Sequence, residues 1–258
     1  MSTKIITGLL TSIRQHSTYQ VFSDFVEIVT IICQKASLHI LASSTAMSDK
    51  LEDNYSRIIK KYSKDDLETL TKIYATFMQE IQNNYNLGYY KDILGEIYTE
   101  LNLNDKHKQQ FFTPSHVSRF MGEIVGIETS DLLEEKKFIS VADECCGCGG
   151  MLLKFAETAK NKGIDPSSQI FFYAKDIDRI MAMATYIQLY HYALPCIVDC
   201  GDALLGTTSD RWVSLTCALQ WYKFSSIFDG SNNNAKAGKS EGTTINETIN
   251  ITTELSLF

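Results

Sequence analysis

The sequence predicts an α/β protein in which a helical amino-terminal region precedes a parallel sheet with helices between its strands. Residues 1–113 contain no proline, and their apolar residues recur three and four positions apart, which is the helical period. From about residue 136, short apolar runs alternate with helical patterns, and this alternation favours a parallel sheet. A glycine-rich turn separates the first run from the next helix, as in a strand–loop–helix unit.

The amino-terminal helices are predicted from stripes of apolar residues along one face. One stripe consists of Val21, Phe25, Ile28 and Ile32, and a second of Leu67, Leu70, Ile73, Phe77 and Ile81. Helices of this kind pack against one another through the apolar stripe and expose the charged face. We expect an ordinary helical core here rather than a ligand pocket, because helix faces usually bury area, and we assign residues 1–105 to a helical domain.

The predicted sheet follows in residues 106–230. Strands are expected at 138–142, 169–174 and 196–200, with a candidate fourth strand at 224–228, and helices are expected from Met151 and over 177–192. Strands separated by helices imply parallel pairing with right-handed crossovers. Residues 231–258 are rich in Ser, Thr and Asn, so we expect a polar and mobile carboxyl-terminal segment, with a short edge strand near residues 249–251.

Composition limits the partners and the compartment. The chain has 258 residues, of which 31 are acidic and 24 are basic, and its net charge of −7 argues against a broad basic surface that grips nucleic acid unaided. No apolar run reaches the roughly 18 residues that a membrane span needs, and the amino terminus does not resemble a signal peptide. Seven cysteines, an odd number, fit a reducing compartment. We therefore expect a cytoplasmic protein that does not associate with membranes.

The loop at 143–150 is the strongest candidate for a ligand site. It lies between a buried strand and the start of a helix, where free backbone N–H groups and small side chains let a ligand approach the main chain. Each of the three predicted strands is followed by an acidic residue, namely Asp143, Asp176 and Asp202. Because parallel strands end at the same edge of a sheet, these carboxylates predict a nucleotide-like ligand, with Asp176 placed to accept ribose hydroxyls.

A metal site is not expected. Cys145, Cys146 and Cys148 are close neighbours in one tight loop, and such neighbours cannot surround a tetrahedral ion. No paired CxxC or nearby histidine completes a set of ligands. His116 and His191 are left without a role, since single histidines of this kind are more often helix-surface or satisfied core residues than bases.

Two motifs resemble a known family. Residues 141–153, VADECCGCGGMLL, resemble the VxDPACGSGGMLL motif of N6-adenine DNA methyltransferases, especially the modification subunits of type I restriction systems. Residues 110–117, QFFTPSHV, are similar to the QFFTPxxV motif of the same family and occur in the same order. The resemblance covers about residues 60–205. It implies a shortened Rossmann-like methyltransferase domain that uses S-adenosylmethionine.

The resemblance also implies roles for individual residues. The segment formed by Gln110, Phe111, Phe112, Thr113, Pro114 and Ser115 would line the cofactor pocket, with Phe112 and Thr113 on the methionine portion. The loop residues Asp143, Gly147, Cys148, Gly149 and Gly150 would hold the amino-acid moiety and the sulfonium region. Asp176 would bind the ribose and Asp202 the adenine amine. Two positions depart from the family motif, since Glu144 replaces a proline and Cys148 replaces a serine.

The residues that would hold the target base are the weakest part of the match. N6-adenine methylation requires a flipped base whose amine donates to an Asn or Asp and a proline carbonyl, which the family supplies as (N/D)PP(Y/F) after the fourth strand. No proline follows Pro195 in this sequence, so that motif is absent from it. Asp229 is the nearest positional substitute and our candidate catalytic residue, although an aspartate directly before a glycine, here Gly230, is also typical of a turn.

Three functions stay open on these grounds. The first is an adenine-specific DNA methyltransferase-like protein that acts on DNA with the help of a specificity or partner subunit. The second is a catalytically inactive cofactor-binding or decoy relative from a mobile element, which pairs with a restriction-modification component. The third is a small-molecule methyltransferase whose acceptor pocket is built by the helical domain, since the cofactor half of such folds is shared across acceptors.

Overall fold

The computed structural model describes residues 2–41, 45–103 and 138–224 of the chain. The amino-terminal part is helical, as expected, and its helices are α1 (Ser2–Ser12), α2 (Thr18–Ile40), α3 (Thr45–Ile59), α4 (Lys64–Asn86) and α5 (Ile93–Glu100). Side-chain caps fix where two of the helices begin. Ser17 accepts a hydrogen bond from the Gln20 N–H ahead of α2, and Ser63 and Asp66 form a capping box ahead of α4.

The apolar stripe predicted on α4 is confirmed, whereas the stripe on α2 is partly wrong. Leu70, Ile73, Phe77 and Ile81 are buried on α4. On α2, Val21 and Phe25 are buried but Ile32 is 48% exposed. The reason is that α2 packs against several other helices, so its buried surface follows a different set of positions, which includes Phe22, Val26, Val29 and Cys33.

The described part of the sheet has four strands in the order β1-β2-β3-β4. They are β1 (Ile139–Asp143), β2 (Ile170–Asp176), β3 (Cys196–Cys200) and β4 (Asp210–Val213). The first three pair in parallel, as predicted, with Asp143 opposite Ala174 and Asp176 opposite Cys200. β4 was not predicted, and it pairs antiparallel to β3. The connection at 201–209 is too short for a crossover helix, and a short connection permits only antiparallel return.

Helices separate the parallel strands. They are α6 (Gly150–Asn161), the single turn α7 (Pro166–Gln169) and α8 (Arg179–His191), followed after β4 by α9 (Leu215–Leu219) and α10 (Trp221–Phe224). The predicted strand at 224–228 is wrong at its first residue, because Phe224 ends α10 and is buried against Phe138 and Phe171. Residues 225–228, and with them the rest of that prediction, lie outside the described residues.

One hydrophobic core joins the helical part to the sheet. Helix α8 is buried from Met181 to Leu189, because it lies between the sheet and α2. Core residues from α1, α2, α4 and α5 belong to the same cluster as those of β2, β3 and α6. Helix α5 packs against α1 and α8, and its N-cap residue Asp92 lies beside the start of α6. Within the described residues, none of the helices combines the length and the hydrophobicity needed to cross a bilayer.

Candidate functional site

The glycine-rich loop joins β1 to α6 through two residues in the left-handed region. Gly147 has φ of 54° and Gly149 has φ of 85°, which L side chains rarely adopt. Gly149 is also the N-cap of α6, and no side chain caps this helix. The first N–H groups of a helix lack partners within the helix. An anionic group of a ligand can therefore accept hydrogen bonds at the start of α6.

Asp176 ties the end of β2 to this loop. Its Oδ2 accepts from the Gly147 N–H at 2.8 Å, and its Oδ1 accepts from the Asp178 N–H at 2.8 Å. An ionised carboxylate has about four acceptor positions, so each oxygen keeps room for a further donor. Burial raises the pKa of Asp176, while the bonds from these two N–H groups oppose that shift.

Backbone hydrogen bonds bring the ends of all three parallel strands together. The Cys146 N–H donates to the Lys175 carbonyl at 3.0 Å, and the Gly201 N–H donates to the Asp176 carbonyl at 2.9 Å. The loops that follow β1 and β3 therefore flank the end of β2. Asp143 accepts from the Cys145 N–H at 3.1 Å, and its pKa is raised by burial and by the nearby charge of Asp176.

Asp202 is part of a turn that follows β3. Its Oδ1 accepts from the Leu204 N–H at 2.8 Å and from the Leu205 N–H at 3.1 Å. These bonds use one carboxylate oxygen and leave Oδ2 to accept from another group. Leu204 and Leu205 are 98% and 75% exposed, so the turn presents apolar side chains to solvent. The structure thus places Asp202 one residue beyond the glycine that bonds to Asp176.

Two buried residues of α8 hold the loop in position, and sequence analysis did not single them out. The Thr185 hydroxyl donates to the Gly147 carbonyl at 2.7 Å, and the Gln188 Nε2 donates to the Cys148 carbonyl at 2.7 Å. Both side chains are fully buried. The signal in the sequence is a threonine and a glutamine inside an otherwise apolar helix, since buried polar groups need partners.

Gln188 also connects the loop to the helical part of the protein. Its Nε2 donates to Asp92 Oδ1 at 2.9 Å, and its Oε1 accepts from the Leu94 N–H at 3.1 Å. Asp92 is the N-cap of α5 and accepts from the Gly95 N–H at 2.8 Å. Burial raises the pKa of Asp92 to about 6. A Cβ added at Gly150 would lie 3.0 Å from Asp92 Oδ2, so α5 approaches the start of α6 closely.

Two of the three loop cysteines serve as packing groups. Cys146 and Cys148 are buried, and the Cys148 thiol lies 3.7 Å from the sulfur of Met181. Burial raises the pKa of both thiols well above the usual value, so they stay protonated at neutral pH. Cys145 and the neighbouring Glu144 are exposed. In the part of the chain that the structure describes, no group of three or more His, Cys, Asp or Glu side chains is arranged to hold a metal ion.

Several predicted site residues fall outside the described ranges. They are the candidate catalytic residue Asp229 and the segment formed by Gln110, Phe111, Phe112, Thr113, Pro114 and Ser115. Their predicted roles stay predictions.

The parallel strands, the helices between them and the helical amino-terminal part define an α/β fold, as predicted. Residues 89–191 match the N-6 DNA Methylase family. The match covers less than half of the 258 residues but contains the glycine loop, Asp176 and the supporting residues Asp92, Thr185 and Gln188. It confirms the resemblance to N6-adenine DNA methyltransferases. No curated protein is significantly similar to the chain in sequence.

Two solved structures are similar to the chain. One is a protein described as a class I S-adenosylmethionine-dependent methyltransferase from Listeria monocytogenes, with 14% identity, a TM-score of 0.40, and coverage of 76% of this chain and 51% of that one. The other is the methyltransferase subunit of a type I restriction-modification system from Streptococcus thermophilus, with 13% identity, a TM-score of 0.34, and coverage of 75% and 55%. The chain spans about half of the length of each.

Proposed function

We propose that the chain binds S-adenosylmethionine at the carboxyl ends of β1, β2 and β3, and that it is an adenine-specific DNA methyltransferase-like protein. The observation that carries the proposal is the 2.8 Å hydrogen bond from the Gly147 N–H to the Asp176 carboxylate. It brings the glycine loop and the acidic end of β2 together beside a helix start without a side-chain cap. The match of residues 89–191 to the N-6 DNA Methylase family supports the same assignment.

The residues present fit the chemical groups of the cofactor. The carboxylate of its methionine portion would accept from the first N–H groups of α6, next to Gly149. The ribose hydroxyls would donate to the acceptor positions that Asp176 retains. Ile177, the next residue, is 73% exposed and offers an apolar surface to the adenine ring. The free Oδ2 of Asp202 would accept from the exocyclic amine.

The bound cofactor would supply a methyl group activated by a sulfonium sulfur. The contribution of the described residues is to position and orient it, because Thr185 and Gln188 fix the loop backbone from behind. We further propose that the QFFTP segment at 110–114 completes the pocket and that Asp229 accepts a hydrogen bond from the target amine. DNA would be engaged locally or with a partner subunit, since the chain carries a net charge of −7.

The cofactor assignment is tested by calorimetry with S-adenosylmethionine. We expect Asp176→Ala to weaken binding at least tenfold, about 1.4 kcal/mol, because the ribose loses its acceptor. Asp165→Ala serves as the matched control, because Asp165 is an acidic N-cap on α7 whose carboxylate bonds to its neighbours Ser167 and Ser168. Equal affinities for both variants and the unmodified protein, with folding verified by circular dichroism, would remove the ribose assignment.

A second candidate is a relative that binds the cofactor without transferring its methyl group. This sequence has no proline after Pro195, so Asp229 is the one acceptor that we assign to the target amine. Incubation with tritiated cofactor and unmethylated DNA separates the two candidates. Label on adenine supports the enzyme, whereas no label under conditions where calorimetry detects cofactor binding supports the inactive relative.

A further inference from the structure

Asp92, the N-cap of α5, lies against the first residue of α6. A Cβ added at Gly150 would come within 3.0 Å of Asp92 Oδ2 and 3.7 Å of its Cγ. Gly150 begins α6 with a negative φ that any residue can adopt, so its backbone does not require a glycine. The glycine instead leaves room for the carboxylate. Asp92 therefore lies at the end of α6 where we propose that the methionine portion of the cofactor binds.

One oxygen of the Asp92 carboxylate has no hydrogen-bond partner among the described residues. Oδ1 accepts from the Gly95 N–H at 2.8 Å and from Gln188 Nε2 at 2.9 Å, whereas Oδ2 accepts from neither. Oδ2 also keeps accessible surface, because the enclosed side-chain polar atoms without a partner in that part of the chain are the hydroxyls of Ser23 and Thr30. This oxygen can therefore accept a hydrogen bond from a ligand.

The charge of Asp92 is not neutralised within the part of the chain that the structure describes. Lys91, its neighbour in sequence, pairs with Glu96 at 2.8 Å, and Lys154, one turn along α6, pairs with Glu157 at 2.9 Å. The start of α6 supplies only about half of a positive charge. Burial raises the pKa of Asp92 to about 6, so the carboxylate is still mostly ionised at neutral pH. A carboxylate without a counter-ion favours a ligand group that carries a positive charge.

The start of α6 thus offers partners for both charges of a zwitterion. The first N–H groups of the helix suit a carboxylate, while Asp92 beside them suits an ammonium group. An α-amino acid carries these two groups on one carbon atom, so they can reach adjacent partners. A ligand with the carboxylate alone would meet the negative charge of Asp92 without any compensation.

We infer that Asp92 accepts a hydrogen bond from the α-ammonium group in the methionine portion of S-adenosylmethionine, so that the crevice selects a ligand with a free amino-acid end. The inference rests on the proposed function, because it concerns the same crevice. It makes a carboxylate from the helical part of the protein a specificity-determining residue of that crevice. A related ligand without the ammonium group is bound less tightly.

Calorimetry with two matched ligands tests the inference. They are S-adenosylhomocysteine and its deaminated analogue, adenosylthiobutanoate, which keeps the carboxylate but has hydrogen in place of the α-ammonium group. We expect the unmodified protein to bind S-adenosylhomocysteine at least about tenfold more tightly, as for a hydrogen bond between charged groups. Equal affinities would overturn the inference while the proposed function stands. If neither ligand binds, the proposed function fails and the inference with it.

Variants separate the charge of Asp92 from its role as a helix cap. Asp92→Asn and Asp92→Ser both keep a side chain that is favoured at an N-cap. In each variant we expect the preference for S-adenosylhomocysteine to fall below about threefold. The affinity for the analogue should stay the same or rise, because its carboxylate no longer meets a negative charge.

Two further variants serve as controls. Glu96→Gln removes a charge from the first turn of α5 that pairs with Lys91, and it should preserve the preference. Asp176→Ala should weaken both ligands alike, because both contain the ribose. An unchanged preference in Asp92→Asn and Asp92→Ser, or an equal loss of both ligands in them, would show that Asp92 only supports the fold.

Discussion

Replacing Gly149 by alanine tests whether the loop conformation depends on its contact with α8. Gly149 has φ of 85°, and a Cβ added there would lie 3.0 Å from Thr185 Cγ2 and 3.1 Å from its Oγ1. Gly163 is a matched control, because it has φ of 81° but no atom within 4 Å of the added Cβ. The left-handed conformation costs an alanine about 1–2 kcal/mol at either position. Crowding against Thr185 adds about 1–3 kcal/mol at Gly149 only.

Urea unfolding followed by circular dichroism measures these differences. We expect Gly163→Ala to lose about 1–2 kcal/mol and Gly149→Ala to lose about 2–5 kcal/mol. Adding Thr185→Ser to Gly149→Ala should restore part of the loss, because it deletes Cγ2 but keeps the hydroxyl that bonds to the Gly147 carbonyl. Only Gly149→Ala should also weaken cofactor binding. If both alanine variants lose the same free energy and serine restores nothing, the loop does not depend on this contact.

Two further changes test the electrostatics around the sheet. Burial raises the pKa of Asp92 to about 6 in the folded protein, so as pH falls this carboxylate takes up a proton in the folded state before it does so in the unfolded state. The free energy of unfolding should therefore rise by up to about 3 kcal/mol as pH falls from 7 towards 4. Asp92→Asn should lack this component in urea unfolding between pH 7 and pH 5, and parallel pH profiles of the variant and the unmodified protein would contradict the prediction. Asp199→Asn should cost about 3–5 kcal/mol, because it removes the buried carboxylate that pairs with Arg211. Lys35→Gln, at the exposed pair with Glu52, should cost at most about 1 kcal/mol. Similar losses in the two variants would show that burial does not set the strength of these pairs.

The parallel strands and the glycine loop could be predicted because their signals are local. Apolar runs of strand length, each followed by an acidic residue, predicted β1, β2 and β3 within one or two residues of their bounds. β4 has no such signal, since Asp210–Val213 is only four residues long and becomes a strand by pairing with β3. The exposure of Ile32 could not be predicted from local sequence either, because a helix that packs on several sides does not bury a single stripe.

The support of the candidate site could not be predicted in the same way. Periodicity predicts that Thr185 and Gln188 lie on a helix, but it does not show that their side chains reach the Gly147 and Cys148 carbonyls from a helix more than 30 residues further along the chain. The contact of Gln188 with Asp92 spans a still longer separation. Contacts between distant residues depend on how the elements pack, which single-sequence patterns do not encode.

The arrangement around Gln188 explains why the helical part and the sheet act as one unit at the site. Its amide group bonds at once to the loop through the Cys148 carbonyl, and to α5 through Asp92 and the Leu94 N–H. A fully buried amide with all of these partners satisfied holds each of them in a fixed place, because losing any one would leave a polar group unpaired. A displacement of α5 therefore has to move the loop backbone as well. The helical part is thus a structural component of the proposed cofactor site, although its own sequence predicts only a packed helical core.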